Sequence, residues 1–206
     1  MGQGEAEMKI LVVACAHREP LIVPHLVGRD YYLHLTPDYV LPEGWAPSRP
    51  YRKLVHNQTN HMRCCYGHRD VMQRIQDYAL ILEDDAVPNC PDWYEVCEEA
   101  AKLLDTFNIV SLHSRELLSE VWEHRPWWGG REAWVRGGGW CVGSLAYLIS
   151  RRVAANWIER RYEGLPMDLG LCELAGGKFV AIVPSPFDHG VGTPHTFMHA
   201  DGKVYE

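Results

Sequence analysis

Tyr78-Ala79-Leu80-Ile81-Leu82-Glu83-Asp84-Asp85-Ala86-Val87-Pro88 carries four consecutive apolar residues, Ala79 to Leu82, straight into three carboxylates. A short apolar run of this length reads as a buried strand. The acids then fall at its C-terminal end, where open α/β sheets hold their ligands. Three like charges in one place repel each other unless a cation neutralises them. Hard divalent cations take oxygen ligands, which points to Mg²⁺ or Mn²⁺. A solvated acidic turn after a strand would give the same tripeptide.

Working outward, Lys9 to Ala16 is a second strongly apolar strand, ending in the polar turn His17-Arg18-Glu19-Pro20. The stretch from Leu35 to Tyr51, with four prolines, is expected to be loop. Residues 60–76 show helical spacing of Met62, Cys65, Val71, Met72 and Ile75. Residues 91–104 read as a second helix, with Pro91 at its first position. Further strands are expected at 108–113, 142–149 and 179–183, and further helices at 151–161 and from Leu165 onward. The tail from Pro184 is expected to be loop. Strands alternating with helices imply an α/β sandwich with a mainly parallel central sheet. A single domain over 9–199, with flexible termini at 1–8 and 200–206, accounts for the pattern.

The composition is 47% hydrophobic and 23% charged, which marks a globular chain rather than a disordered one. No apolar run approaches the ~20 residues that span a bilayer, and residues 1–8 do not resemble a secretory signal. Seven scattered cysteines without a CxxC pair favour reduced thiols, and the expected location is cytoplasmic. A net charge of −7 weighs against an extensive nucleic-acid footprint.

Three further groups are candidates for chemistry. The tail segment Asp188-His189-Gly190 and His195 offers imidazoles that could complete a Mn²⁺ site, and Gly190 would let the backbone approach a phosphate. Surface loop histidines would look the same. Asp168, after Pro166, is either a helix N-cap or a general base. Residues 127–140 cluster tryptophans beside Gly137-Gly138-Gly139. They read as a substrate wall, with Trp140 at the donor, or as core packing with turns.

In order along the chain, these segments resemble family 25 glycosyltransferases, the group of bacterial lipooligosaccharide galactosyltransferases and collagen galactosyltransferases. The matching segments are Val12 to Arg18, the helix segment Arg63-Cys64-Cys65-Tyr66-Gly67-His68, and Leu82-Glu83-Asp84-Asp85. They continue with Gly143-Ser144-Leu145-Ala146-Tyr147-Leu148-Ile149-Ser150, Pro166-Met167-Asp168, Pro184-Ser185 and His189-Gly190. The helix segment keeps the family's Cys and His and lacks its Gly and Ser. Residues 120–140 have no counterpart.

The resemblance implies a GT-A fold, a Rossmann-like sandwich that binds a nucleotide-sugar and a divalent metal. It implies Asp85 as metal ligand, with His189 and behind it His195 as tail ligands. Glu83 or Asp84 would hold the ribose or a metal-bound water, and Arg18 would meet the nucleotide. Asp168 would be the base of an inverting reaction. The function so implied is transfer of a sugar from a nucleotide-sugar, a UDP-sugar, to a hydroxyl acceptor such as a glycan. Two rival readings are a glycosyltransferase for hydroxymethylated bases of viral DNA and a non-catalytic nucleotide-sugar or carbohydrate-binding domain.

Overall fold

The computed structural model of the protein describes residues 8–15, 20–36, 58–113, 122–136, 143–159 and 167–190. The first apolar run forms strand β1 (Lys9–Cys15), followed by β2 (Tyr31–Thr36) and helix α1 (Gln58–Met72). The run ahead of the acids is β3 (Tyr78–Glu83), followed by the short β4 (Ala86–Pro88) and α2 (Trp93–Ala101). Then come β5 (Ile109–Ser111), the hairpin β6 (Trp122–Pro126) and β7 (Glu132–Arg136), and β8 (Ala146–Ser150). The described chain ends with α3 (Arg151–Glu159), α4 (Met167–Ala175), β9 (Phe179–Val183) and β10 (Phe187–His189).

Among the described residues eight strands form one sheet in the order β2-β1-β3-β8-β5-β9-β7-β6, and β10 and β4 form a separate two-stranded ribbon. The expected mainly parallel sheet is therefore a mixed one. The β1–β2, β1–β3 and β5–β9 pairings are parallel, whereas β8 runs against both β3 and β5, β7 against β9, and β6 against β7. Alternation of strand-like and helix-like segments carries no information on strand direction. The β6–β7 hairpin also escaped the sequence reading, because its aromatic and charged residues do not show the alternation of a half-buried strand.

Strand alternation divides the core into two halves. On one face, Ile10, Val12, Leu80, Leu82, Val110 and Leu148 pack with Trp93, Val96 and Ala100 of α2. On the other, Leu11, Val13, Ala79, Ile81 and Ile149 pack with Cys65 and Met72 of α1, Val153 of α3 and Leu171 of α4. α1 lies close to the sheet because residue 67 is glycine: a Cβ there would stand 2.5 Å from Thr36 Oγ1 and 2.7 Å from Val13 Cγ1. A serine at this position would have to push the helix away. The turn of the β6–β7 hairpin is tied to α2 by Arg131, whose Nη1 and Nη2 donate to Asp92 at 3.3 and 3.2 Å. The carboxyl of Asp92 is held below its usual range, chiefly by that hydrogen bond. Among the described residues no helix is long and apolar enough to cross a membrane.

α2 starts at Trp93, two residues after Pro91, and Asp92 as its N-cap makes no side-chain capping bond. The tail is not all loop. Phe187–His189 pairs antiparallel with Ala86–Pro88, setting His189 opposite Ala86. Three-residue strands are too short to show a hydrophobic period, so neither partner of this ribbon was legible.

Candidate active site

β1, β3 and β5 run in one direction, so their C-terminal ends share one rim of the sheet. β8 runs the opposite way and delivers its entry residues there. Glu83 N donates to Leu145 O at 2.8 Å, and Leu112 N to Ala146 O at 3.0 Å. The three acids meet at this rim but occupy three different surroundings. The strand ends at Glu83 and residues 84 and 85 form a turn, so strand alternation does not carry through to Asp85. Glu83 and Asp85 therefore do not share a strand face.

Glu83 belongs to the face of Ala79 and Ile81 and emerges beside α1. Its Oε1 lies 3.2 Å from His68 Nε2 and accepts a hydrogen bond from Ser144 Oγ. The other ring nitrogen of His68, Nδ1, is 2.8 Å from the Tyr147 hydroxyl. His68 is 0% exposed and the Glu83 side chain 16%. Burial, then Glu83, push the Tyr147 hydroxyl well above its ordinary pKa, so it keeps its proton and can donate it. With Glu83 ionised, Nε2–H donates to the carboxylate and Nδ1 accepts from Tyr147. Cys64 lies one helical turn before His68. Its thiol is pushed well up by burial, then by Glu83 and other neighbours that include Asp168. Asp168, in the first turn of α4, is itself raised, first by burial and further by Glu83, while the Leu169 amide donating to Oδ1 at 2.8 Å opposes the rise. Cys64, His68, Glu83 and Asp168 thus form one electrostatic neighbourhood at the α1–α4 side of the rim.

Asp84 turns inward. Its Oδ2 accepts from Cys15 N at 2.9 Å and its carbonyl from Leu21 N at 2.7 Å, so it pins both ends of the segment leaving β1. Asp85 turns toward the tail. Its side chain is 2% exposed, and His189 Nδ1 lies 3.2 Å from its Oδ2. Gly190 N donates to Asp85 O at 3.0 Å. The ribbon makes this meeting possible. Phe187 is fully buried against Trp93, ring to ring at 5.4 Å, and anchors the strand whose next residues are Asp188 and His189. His113, just past β5, donates from Nδ1 to Phe187 O at 3.1 Å and meets the His189 ring edge-on at 4.9 Å.

Of the residues singled out in the sequence, the structure brings Asp85, His189 and Gly190 together, sets Glu83 within the electrostatic reach of Asp168, and gives Asp84 a backbone partner on β1. Arg18, Trp140 and His195 lie outside the described residues. Sequence reasoning did not assign roles to His68, Tyr147, Ser144 or His113. His113 could have been found by the criterion applied to the acids, its place at the end of a buried strand. Tyr147 could not, since it sits mid-strand among apolar neighbours and reads as core.

Asp85 Oδ2 and His189 Nδ1 set a carboxylate oxygen beside an imidazole nitrogen, both groups that ligate divalent ions. Two ligands at about 2.1 Å from an octahedral ion and at right angles stand about 3 Å apart, close to the 3.2 Å between Asp85 Oδ2 and His189 Nδ1. A second group, Cys64, His68 and Glu83, offers three ligand atoms within 4.8 Å of one another.

No protein-family model matches the chain, and no curated protein sequence does. Among solved structures the chain is similar to A197 from STIV, at TM-score 0.45 and 14% identity over 90% of this chain and 86% of that one. It is also similar to HddC from Yersinia pseudotuberculosis, at TM-score 0.40 and 11% identity over 84% of this chain and 68% of that one. Likenesses of this size do not establish a shared fold.

Proposed function

We propose that the protein is a metal-dependent glycosyltransferase that moves a sugar from a nucleotide-sugar, a UDP-sugar, to a hydroxyl acceptor such as a glycan. The observation that carries this reading is the Asp85–His189 contact, which joins the acidic motif to a tail imidazole across 104 residues of chain. Asp85 and His189 would hold Mn²⁺ or Mg²⁺, with His195 as a further candidate ligand. When bound, that ion would offset the negative charge that grows on the departing nucleoside diphosphate.

The remaining work falls to the chain's own groups. Glu83 or Asp84 would hold the ribose, Arg18 the nucleotide and Trp140 the donor, with Gly190 giving the diphosphate close access to the backbone. Asp168 would take the proton of the acceptor hydroxyl. Its carboxyl is raised from the usual aspartate value by burial, which makes it a stronger base once ionised.

The test is a thermal-shift series of nucleotide-sugars with and without Mn²⁺ on the parent, Asp85→Ala and His189→Ala. A ligand at 100 times its Kd stabilises the native state by about 2.7 kcal/mol. The expected result is a UDP-sugar shift in the parent that needs Mn²⁺ and is lost in both variants. No shift with any nucleotide-sugar, or an equal shift in Asp85→Ala, would overturn the reading. Binding without any donor turnover would leave a non-catalytic binding domain instead.

A further inference from the structure

Cys64 and His68 stand four residues apart on α1, so their side chains leave the same face of the helix. Glu83 meets them from the end of β3. The three ligand atoms lie within 4.8 Å of one another, with His68 Nε2 and Glu83 Oε1 3.2 Å apart. Ligands around a tetrahedral zinc ion, at metal distances of about 2.0–2.3 Å, stand roughly 3.3–3.7 Å from each other. The proposed sugar transfer uses neither the sulfur nor this imidazole.

We propose that Cys64, His68 and Glu83 form a second metal site, of the zinc class, distinct from the Asp85–His189 pair; with Glu83 so engaged, Asp84 is the acid left to hold the ribose in the function assigned to that pair. A sulfur and an imidazole in the donor set select zinc-type ions over Mg²⁺ and Mn²⁺, which prefer oxygen. The surroundings are those that hold a metal-bound histidine in place. A ligand imidazole is oriented by a hydrogen bond from its other ring nitrogen, and here Nδ1 faces the buried Tyr147 hydroxyl at 2.8 Å. With Nε2 on the metal, Nδ1–H donates to that oxygen, the Tyr147 hydroxyl turns its own hydrogen away, and the Cys64 thiol releases its proton to solvent as it becomes a thiolate ligand. Ser144 fixes the Glu83 carboxylate by donating to Oε1. Three protein ligands leave a fourth position for water or a substrate atom, the arrangement of catalytic rather than structural zinc. Asp168 is near enough to this group to act on the Cys64 thiol electrostatically.

Cobalt(II) reports such a site directly, because a thiolate ligand gives a sulfur-to-cobalt charge-transfer band in the near ultraviolet. Untagged protein, stripped with a chelator under reducing conditions, is titrated with Co²⁺ and then with Zn²⁺. The band is expected in the parent and in His189→Ala, absent in Cys64→Ser, and removed by stoichiometric Zn²⁺. No band in the parent, or the same band in Cys64→Ser, overturns the site. Circular dichroism establishes that Cys64→Ser is folded. If it is not, Glu83→Gln provides the test, since it keeps the thiol and is nearly isosteric. Co²⁺ affinity at the band should then fall by at least about ten-fold, the lower end of what losing a hydrogen-bonding neighbour of a ligand costs. Unchanged affinity overturns the site. The Mn²⁺-dependent thermal shift reads the Asp85–His189 pair, so either site can fail without the other.

Discussion

Asp168 is the residue at which burial and charge combine most directly. Its carboxyl is raised by burial and by Glu83, so the native state holds the proton more tightly than the unfolded chain does. A group of this sign favours the folded state below the unfolded pKa of about 3.9 and costs stability as pH rises through the higher native value. Asp168→Asn in the metal-free protein is therefore expected to melt higher than the parent at pH 7. The gain should shrink toward zero as the pH approaches 4, as followed by circular dichroism. If Asp168 is the base, the same variant loses sugar transfer while gaining stability. A variant that is less stable at pH 7, or whose gain does not depend on pH, would contradict the raised carboxyl. At this scale the sequence was informative where chemistry is concentrated in consecutive residues. Glu83, Asp84 and Asp85 stood out as candidates because three carboxylates directly follow a buried strand. His68, Tyr147 and Ser144 announced nothing, since their network exists only after α1, β3 and β8 have been folded against one another.

Among the elements, the β4–β10 ribbon contributes most to the site for its size. Phe187 is its anchor, fully buried beside Trp93. Truncating a buried phenylalanine to alanine costs about 3–5 kcal/mol through lost burial and the cavity left behind. Phe187→Ala should lower stability by that amount in denaturant unfolding. It should also abolish the Mn²⁺-dependent shift, because His189 sits two residues further along the same strand. Phe187→Leu keeps most of the volume, and a milder loss with the metal response intact is the expected contrast. A Phe187→Ala protein that still responds fully to Mn²⁺ would show that the ribbon does not position His189. Apolar strands such as β1 and β9 were readable to within a residue, because their hydrophobic runs end where their burial ends. β4 and β10 were not, because three residues show no period, and the β6–β7 hairpin was not, because its mixed aromatic and charged residues form no apolar run.

In the molecule as a whole, two cores share one sheet. Leu80, Leu82 and Leu148 face α2, while Ala79, Ile81 and Ile149 on the same strands face α1, α3 and α4. Neither half can lose its packing without disturbing strands that the other half needs. Phe187→Ala on one face and Leu171→Ala on the other, the latter costing about 2–5 kcal/mol, should each shift a single transition. Far-ultraviolet circular dichroism and tryptophan fluorescence should coincide in both. Separated transitions would mean that the halves fold independently. The α/β class was legible from the alternation of segments, whereas the reversed direction of β8 was not, since hydrophobicity is the same read in either direction. The separation of 104 positions between Asp85 and His189 also sets an order of events during synthesis. A ribosome completes all three acids, and the helix carrying Cys64 and His68, long before it reaches the tail imidazole. While that stretch is being added the growing chain holds the carboxylates with no His189 to join them, and the Asp85–His189 pair can close only after β10 has emerged.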